Sequence, residues 1–182
     1  FIEGSQVREG KAYSISSRPS EELMSITVKN VGGEFSSYLC SRRAGDTLHI
    51  SRAYGDFNPQ TERPLVGIAA GCGLSPIWSI LADTKQPTFL YLSQKSPEYM
   101  VFSEELAASP IKVNKFSTRQ QVEEKDGWHN GRFEVANIVS EVPDDAHFLV
   151  CGSLLFVRDV WQKLTAAGVD ESHISTETFF EQ

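Results

Sequence analysis

The fold of this chain is decided by residues 65–76, which read LVGIAAGCGLSP. The apolar run over 65–70 is typical of a buried strand in a parallel sheet. It leads directly into a Gly71-Cys72-Gly73 turn, where glycine permits positive φ and lets another molecule approach the backbone. Ser75 suits the N-cap of a following helix, and Pro76 suits its first position, where a missing N–H costs nothing. These residues predict a strand, a glycine turn and a helix in immediate succession.

The same succession predicts an anion site, because the free backbone N–H groups at a helix N-terminus favour phosphate. The turn lacks the Lys-Ser/Thr of a P-loop and the third glycine of the dinucleotide fingerprint. An ordinary strand-to-helix turn is therefore the alternative interpretation of residues 65–76 taken alone.

Composition limits the class of protein. The 182 residues, 40% hydrophobic and 23% charged, suit a folded globular protein with room for one large domain or two small ones. A net charge of −7 argues against a nucleic-acid partner. No apolar run approaches the roughly 20 residues of a membrane span. The four histidines show no metal-ligand spacing, so no metal site is predicted.

Cysteine usage indicates the redox environment. Cys40, Cys72 and Cys151 lie far apart in the sequence. Three isolated cysteines form neither the four-cysteine cradle of an iron–sulfur cluster nor a disulfide framework. A reducing, cytoplasmic location is therefore expected.

The first third of the chain is predicted to be rich in short strands. Phe35 and Leu39 would face inward from one or two helical turns over residues 36–40. Alternating polarity predicts the strands, and they cover residues 12–17, 24–29 and 47–51. These strands are too few to close an antiparallel barrel. The missing strands are therefore expected upstream of Phe1.

The rest of the chain alternates strands and helices, which predicts a parallel sheet with helices on both faces. Helices are expected over residues 135–139 and 155–167. After the strand at 65–70, further strands are expected at residues 88–93, 111–116, 146–152 and 173–177. Ligands in such sheets bind at the carboxyl ends of the strands. Gly71-Cys72-Gly73 and Cys151-Gly152-Ser153 would both lie there, which predicts a shared nucleotide crevice.

Two motifs in the first third resemble those of the ferredoxin–NADP reductase superfamily. Lys11-Ala12-Tyr13-Ser14 stands where the family has Arg-x-Tyr-Ser, and Gly33-Glu34-Phe35-Ser36 resembles its Gly-x-x-Ser phosphate motif. The resemblance implies that Tyr13 packs on the flavin ring, Ser14 bonds near flavin N5 and Ser36 lies beside the pyrophosphate. Lys11 keeps the charge of arginine but lacks its planar fork. The implied flavin-binding residues are Lys11, Ala12, Tyr13, Ser14, Val28, Gly33, Phe35 and Ser36.

The resemblance continues through the second part of the chain. Residues 69–76 resemble the family's Ala-Ala-Gly-x-Gly-Ile-Thr-Pro motif, residues 150–152 its Cys-Gly motif and residues 176–179 its closing Glu-x-Phe. The pattern is most similar to the oxygenase-reductase and hybrid-cluster-protein-reductase branch, without its iron–sulfur domain. The implied nucleotide-binding residues are Gly71, Cys72, Gly73, Leu74, Ser75, Lys95, Arg119, Cys151, Gly152 and Ser153.

The resemblance also implies a nicotinamide stacked on the flavin, with Ser14, Cys151 and Glu177 around the hydride path. Cys151 would be a soft apolar neighbour of the nicotinamide, and Glu177 would orient Ser14 or relay a proton. A plain buried cysteine and a solvated carboxylate are the alternatives. Lys95 and Arg119 are candidates for binding the 2′-phosphate of NADPH, so NADH and NADPH both stay open.

The sequence therefore predicts a β-barrel flavin-binding module over residues 1–60, followed by an α/β parallel-sheet NAD(P)-binding module over residues 61–182. The resemblance implies hydride transfer from NADH or NADPH to a bound flavin, with FAD favoured and FMN left open. Electrons would then pass to an external iron–sulfur or haem protein or domain. One alternative, suggested by Lys11, is a free-flavin reductase. The other is a non-catalytic nucleotide-binding regulatory module.

Overall fold

A computed structural model describes residues 2–3 and 11–179 of the chain. Its strands are β1 (Ile2–Glu3), β2 (His49–Ile50), β3 (Leu65–Ala70), β4 (Thr88–Gln94), β5 (Lys112–Ser117), β6 (Trp128–Asn130), β7 (His147–Ser153) and β8 (Ile174–Phe179). Its α-helices are α1 (Glu34–Cys40), α2 (Leu74–Leu81), α3 (Ser103–Ala108), α4 (Val135–Glu141) and α5 (Leu154–Ala166).

A six-stranded sheet in the order β6-β5-β4-β3-β7-β8 forms the centre of the molecule, and all its neighbouring strands run parallel. On β3, Leu65 and Ala69 pack into one hydrophobic core, together with α2 and α3. Val66 and Ile68 pack into a second core on the opposite face, with α4 and α5. Alternate residues of β3 thus face opposite sides of the sheet, and both sides are covered by helices. This explains why the sequence of β3 is continuously apolar.

The predicted parallel sheet is confirmed, with strand ends shifted by one or two residues. The three-residue strand β6 was not predicted, because a segment this short carries no readable alternation. The predicted start of α2 is wrong. The helix begins at Leu74 with Gly73 as its N-cap, so Ser75 and Pro76 lie inside its first turn. Pro76 is tolerated there because N–H groups in the first turn have no partner within the helix.

The segment before β3 is less regular than expected. Helix α1 forms as predicted, and Phe35 and Leu39 bury their side chains in a small core. Of the expected strands, the described residues keep only one bridge, between Ile15 and Ile26, and the short antiparallel pair β1–β2. The β-barrel therefore stays a prediction. Short alternating segments become regular strands only where neighbouring strands complete their hydrogen bonds.

Two further observations concern the whole described chain. Cys40, Cys72 and Cys151 are all free thiols. None of the described helices combines the length and the apolar character that crossing a membrane requires.

Candidate functional site

The glycine turn after β3 lies at the carboxyl edge of the sheet. Gly71 has φ +56°, and, apart from its two chain neighbours, no described residue has an atom within 4 Å of the position that a Cβ would take there. Open space beside the backbone of Gly71 fits a closely approaching ligand. Gly73 is glycine for another reason: a Cβ there would lie 2.2 Å from the carbonyl oxygen of Cys151. The first glycine thus borders open space, and the second lets the turn pack on β7.

Ser75 carries an unusual hydroxyl. The residue is buried, and its Oγ has no hydrogen-bond partner among the residues that the structure describes. A buried hydroxyl without a partner is costly, so native proteins normally satisfy it with protein, water or ligand. Because Ser75 lies in the first turn of α2, this hydroxyl fits a nucleotide that supplies the missing partner. The neighbouring Leu74 is fully buried in a hydrophobic core, so its side chain is not available to a cofactor.

The three residues predicted to surround the hydride path lie close together. Cys151 on β7 pairs in register with Glu177 on β8. The Ser14 hydroxyl, which belongs to the first third of the chain, donates a hydrogen bond to the carboxylate of Glu177. The Cys151 thiol is fully buried, and burial, reinforced by the nearby charge of Glu177, raises its pKa. Cys151 is therefore a neutral thiol at physiological pH.

A crevice of about 220 Å³ opens beside the glycine turn. Its lining joins residues 27–29 of the first third to the segments that begin at the carboxyl ends of β3 and β4. The lining residues are Thr27, Val28, Lys29, Gly71, Cys72, Gln94, Tyr99 and Val101. Ordinary ligand pockets measure roughly 300–1,000 Å³, so this crevice is suited to one ring of a dinucleotide rather than to all of it.

Sequence reasoning found Val28, Gly71 and Cys72 but missed the rest of the crevice lining. Gln94 ends β4, so the rule that ligands bind at strand carboxyl ends would have identified it. Lys29 lies over the ring of Tyr99, with its Nζ 5.3 Å from the ring centroid. No sequence signal predicts that pair, since the two residues are 70 positions apart.

Charge inside the crevice comes from Lys29. Burial raises the pKa of the Cys72 thiol, and the positive charge of Lys29 opposes that rise.

Two further cations, Lys95 and Arg119, lie beyond the ends of β4 and β5. The backbone N–H of Arg119 donates to the carbonyl of Lys95 at 3.1 Å. Both of these side chains are exposed. The predicted pair of cations thus lies on adjacent segments, open to an anionic group.

The predicted flavin segment packs on helix α1. The rings of Tyr13 and Phe35 stack with centroids 6.1 Å apart and an interplanar angle of 19°. Val28 packs in the same small core and also lines the crevice, so the Tyr13 region adjoins the nucleotide side. Tyr13 and Lys11 are half-buried and Ala12 is exposed. A ligand can therefore reach this segment.

One predicted residue, Ser36, already has hydrogen-bond partners within the chain. The Ser36 hydroxyl accepts from the N–H of Val31 at 3.3 Å and donates to the carbonyl of Gly33 at 3.1 Å. These bonds hold the loop before α1.

Gly152 and Ser153 end β7 beside Cys151, as expected from the strand pattern. Within residues 11–179, no group of three or more metal-ligating side chains comes together.

Comparison with known proteins identifies relatives. No protein-family profile matches the chain. A flavohemoprotein of Vibrio cholerae is 31% identical over 194 residues, which cover 97% of this chain and 48% of that protein. The chain thus spans about half the length of this curated relative.

Solved structures give the same result. The flavohem-like FAD/NAD-binding domain of nitric oxide dioxygenase from Vibrio cholerae superimposes with a TM-score of 0.81 and 26% identity, covering 93% of this chain and 76% of that one. Ferredoxin–NADP⁺ reductase from Plasmodium falciparum shares the fold at a TM-score of 0.69 and 17% identity, covering 92% of this chain and 76% of that one. The ordered motifs and the two Vibrio cholerae similarities show that the chain belongs to the ferredoxin–NADP reductase superfamily.

Proposed function

We propose that this chain is the catalytic core of a flavin-dependent oxidoreductase that takes hydride from NADH or NADPH. Residues 1–60 would hold the flavin, FAD in the first instance, and residues 61–182 would hold the nucleotide. One observation carries the proposal: the hydrogen bond from Ser14 to Glu177 joins the predicted flavin segment to the carboxyl edge of the sheet. In a parallel α/β sheet, that edge is where a nucleotide binds.

The nucleotide side rests on the glycine turn. The open space at Gly71 and the unpartnered hydroxyl of Ser75 support a phosphate or amide group of the nucleotide at the start of α2. The crevice beside Cys72 supports one ring. Lys95 and Arg119 would hold the 2′-phosphate when NADPH is the donor, since that group needs a cation near the ribose.

The flavin side rests on residues 11–14 and on helix α1. The half-buried ring of Tyr13 is a suitable platform for a flat conjugated ring system. Lys11 would pair with the flavin phosphate as a point charge, without the bidentate grip of arginine. Gly33 and Ser36 would lie beside the pyrophosphate through backbone N–H groups, because the Ser36 hydroxyl is already engaged.

When bound, the flavin supplies the hydride acceptor and releases electrons one at a time. The chain's own residues do the positioning. Glu177 accepts from Ser14 and so fixes the orientation of that hydroxyl, and its carboxylate can hold a proton beside it. Cys151 stays a neutral thiol, so it excludes water as a soft apolar neighbour rather than acting as a nucleophile.

The electrons would leave to an external acceptor. The Vibrio cholerae relative is a flavohemoprotein, which supports an acceptor that carries haem. An iron–sulfur protein or domain would serve the same chemistry, because both accept single electrons.

The test is the visible spectrum of the purified full-length protein, recorded anaerobically before and after addition of NADH or NADPH. A two-banded flavin spectrum that bleaches on addition is expected, and it identifies the preferred nucleotide. A protein that stays colourless after incubation with FAD would contradict the proposal. Weak flavin retention with saturable turnover of added flavin would favour the free-flavin reductase instead, for which the Lys11 substitution argues.

A further inference from the structure

Two hydrogen bonds join the first third of the chain to helix α2 and to the turn that follows it. The Ser79 hydroxyl donates to the backbone carbonyl of Ser17 at 2.6 Å. In the turn just after α2, Asp83 accepts a hydrogen bond from the Ser20 hydroxyl, also at 2.6 Å. The Ser79 contact is partly buried and the Asp83 contact is exposed. The Ser79–Ser17 hydrogen bond is therefore the stronger of the two, because water competes less for its donor and acceptor.

Ser17 is itself held in place on its other side. It is buried, and its hydroxyl accepts from the backbone N–H of Ser25 at 3.0 Å. The N–H of Ser16 in turn donates to the carbonyl of Ser25 at 2.9 Å. Ser79 thus bonds to a segment that is itself hydrogen-bonded to Ser25, rather than to an isolated loop.

The two ends of this connection lead to the two halves of the proposed site. Ser14 lies three residues before Ser17, about 10 Å along an extended chain. Gly73 lies six residues before Ser79, about 9 Å along the helix. The Ser79–Ser17 bond therefore links the flavin segment to the glycine turn, and it lies at a similar chain distance from each.

We propose that Ser79 is a positioning residue, whose bond to Ser17 sets the separation between the Tyr13–Ser14 segment and the nucleotide crevice. This inference rests on the proposed function. Ser79 does not line the crevice, so its loss leaves the groups that bind the nucleotide in place. Hydride transfer, in contrast, depends steeply on separation, and a displacement of about 1 Å can cost on the order of a hundredfold in rate.

The test uses the full-length, flavin-loaded protein with Ser79→Ala and with Ser79→Thr, which keeps the hydroxyl. Ser140→Ala is the matched control, since Ser140 is an exposed helical serine whose hydroxyl, within the described part of the chain, bonds the carbonyl of Asn137 on its own helix and nothing else. Two quantities are measured. One is hydrogen exchange at the amides of Ser16 and Ser25, and the other is the stopped-flow rate of flavin reduction against nucleotide concentration.

Ser79→Ala is expected to speed exchange at both amides and to slow flavin reduction about tenfold at saturating nucleotide. The nucleotide Kd and the Tm should stay near wild type, and the threonine variant should restore both measured quantities. Unchanged exchange in Ser79→Ala would overturn the proposal, as would faster exchange with an unchanged reduction rate. Equal losses in Ser140→Ala would also overturn it.

The two proposals fail in different ways. A wild-type flavin that neither NADH nor NADPH reduces contradicts the proposed function and, with it, any role of Ser79 in hydride transfer. Hydrogen exchange needs no turnover, so it still shows whether Ser79 holds the Ser17 segment. A wild-type enzyme that turns over normally, with exchange unaffected by Ser79→Ala, contradicts the positioning role alone.

Discussion

The hydroxyl of Ser14 donates a hydrogen bond to the carboxylate of Glu177, which lies 163 residues further along the chain. Glu177 occupies β8 directly opposite Cys151 on β7. This contact brings one residue from near the start of the chain and one from near its end to the same edge of the sheet. The candidate site therefore exists only in the folded chain.

Replacing Glu177 by glutamine should slow flavin reduction by about tenfold or more, because a positioned proton-holding group contributes at least that much. Ser14→Ala should have a similar effect, since it removes the other partner of the bond. Stopped-flow reduction by NADH or NADPH measures the rate. Glu171→Gln is the control, as Glu171 is an exposed carboxylate just before β8. Equal rates in Glu171→Gln and Glu177→Gln would rule out a specific role for Glu177.

Gly73→Ala should destabilise the fold by about 3 kcal/mol, because its methyl group would overlap the backbone of Cys151. The turn would have to move away from β7. Gly33→Ala is the control: Gly33 has φ −74°, and its nearest neighbour would be 3.8 Å away. It should lose less than about 1 kcal/mol. Urea denaturation gives both free energies of unfolding, and similar losses would contradict the close packing at Gly73.

Lys29→Met should slow the modification of Cys72 by thiol reagents near pH 8. Removal of the Lys29 charge leaves burial unopposed, so the pKa of Cys72 rises and less thiolate is present. The measurement needs a Cys40→Ser background, because Cys40 is an exposed thiol. Lys85→Met, which changes an exposed lysine outside the crevice lining, serves as the control. An unchanged rate in Lys29→Met would show that the lysine does not act on Cys72.

Stability should fall as the pH drops below about 6.5, through His147. This side chain is buried, and its Nε2 shares a hydrogen bond with the Ser175 hydroxyl at 2.9 Å. Burial, with the nearby charges of His173 and Arg63, lowers its pKa in the folded state. The unfolded chain then binds the proton at a higher pH than the folded chain, so the free energy of unfolding decreases between the unfolded and the folded pKa values.

The measurement is urea denaturation from pH 8 to pH 5, with His147→Gln as the comparison. The glutamine variant should show a flatter dependence over this range. The Asp170 carboxyl, whose pKa is lowered by hydrogen bonds from Ser172, titrates only at more acidic pH and does not interfere. Identical slopes for wild type and His147→Gln would assign the dependence to another group.

Arg119 is one of the two cations proposed to bind the 2′-phosphate, so Arg119→Ala should reduce the preference for NADPH over NADH about tenfold. The effect should be seen in the KM for NADPH, with the KM for NADH unchanged. Arg158→Ala, on the exposed face of α5, controls for loss of a surface charge. An unchanged preference in Arg119→Ala would remove Arg119 from the nucleotide site and leave Lys95 as the candidate.

The sequence alone was sufficient for the central architecture. The double-sided apolar run of β3 and the glycine turn after it predict a parallel sheet with its ligand edge, because burial on both faces leaves a local pattern. The order of the motifs predicts the superfamily for the same reason: each motif is short and contiguous. Helix α1 and its inward residues Phe35 and Leu39 were predictable too, since spacing along one helix is a local property.

Prediction from the local sequence pattern failed where secondary structure depended on packing against other parts of the chain. Ser75 has the chemistry of an N-cap, yet the turn winds into the helix earlier, because Gly73 can pack against the backbone of Cys151. The segments around Ile15 and Ile26 alternate like strands, but in the described residues only a single bridge joins them. A strand, unlike a helix, needs a partner from elsewhere in the chain.

Only the tertiary structure decided which distant side chains meet. The pairs Ser14 with Glu177, Ser17 with Ser79 and Lys29 with Tyr99 each join the first third of the chain to the second part. Such contacts are set by the packing of α2 and β8 against the first third, which no periodicity records. The sequence alone therefore determined the parallel sheet and the superfamily and predicts a ligand edge, while the folded chain decided which distant residues meet at the candidate site.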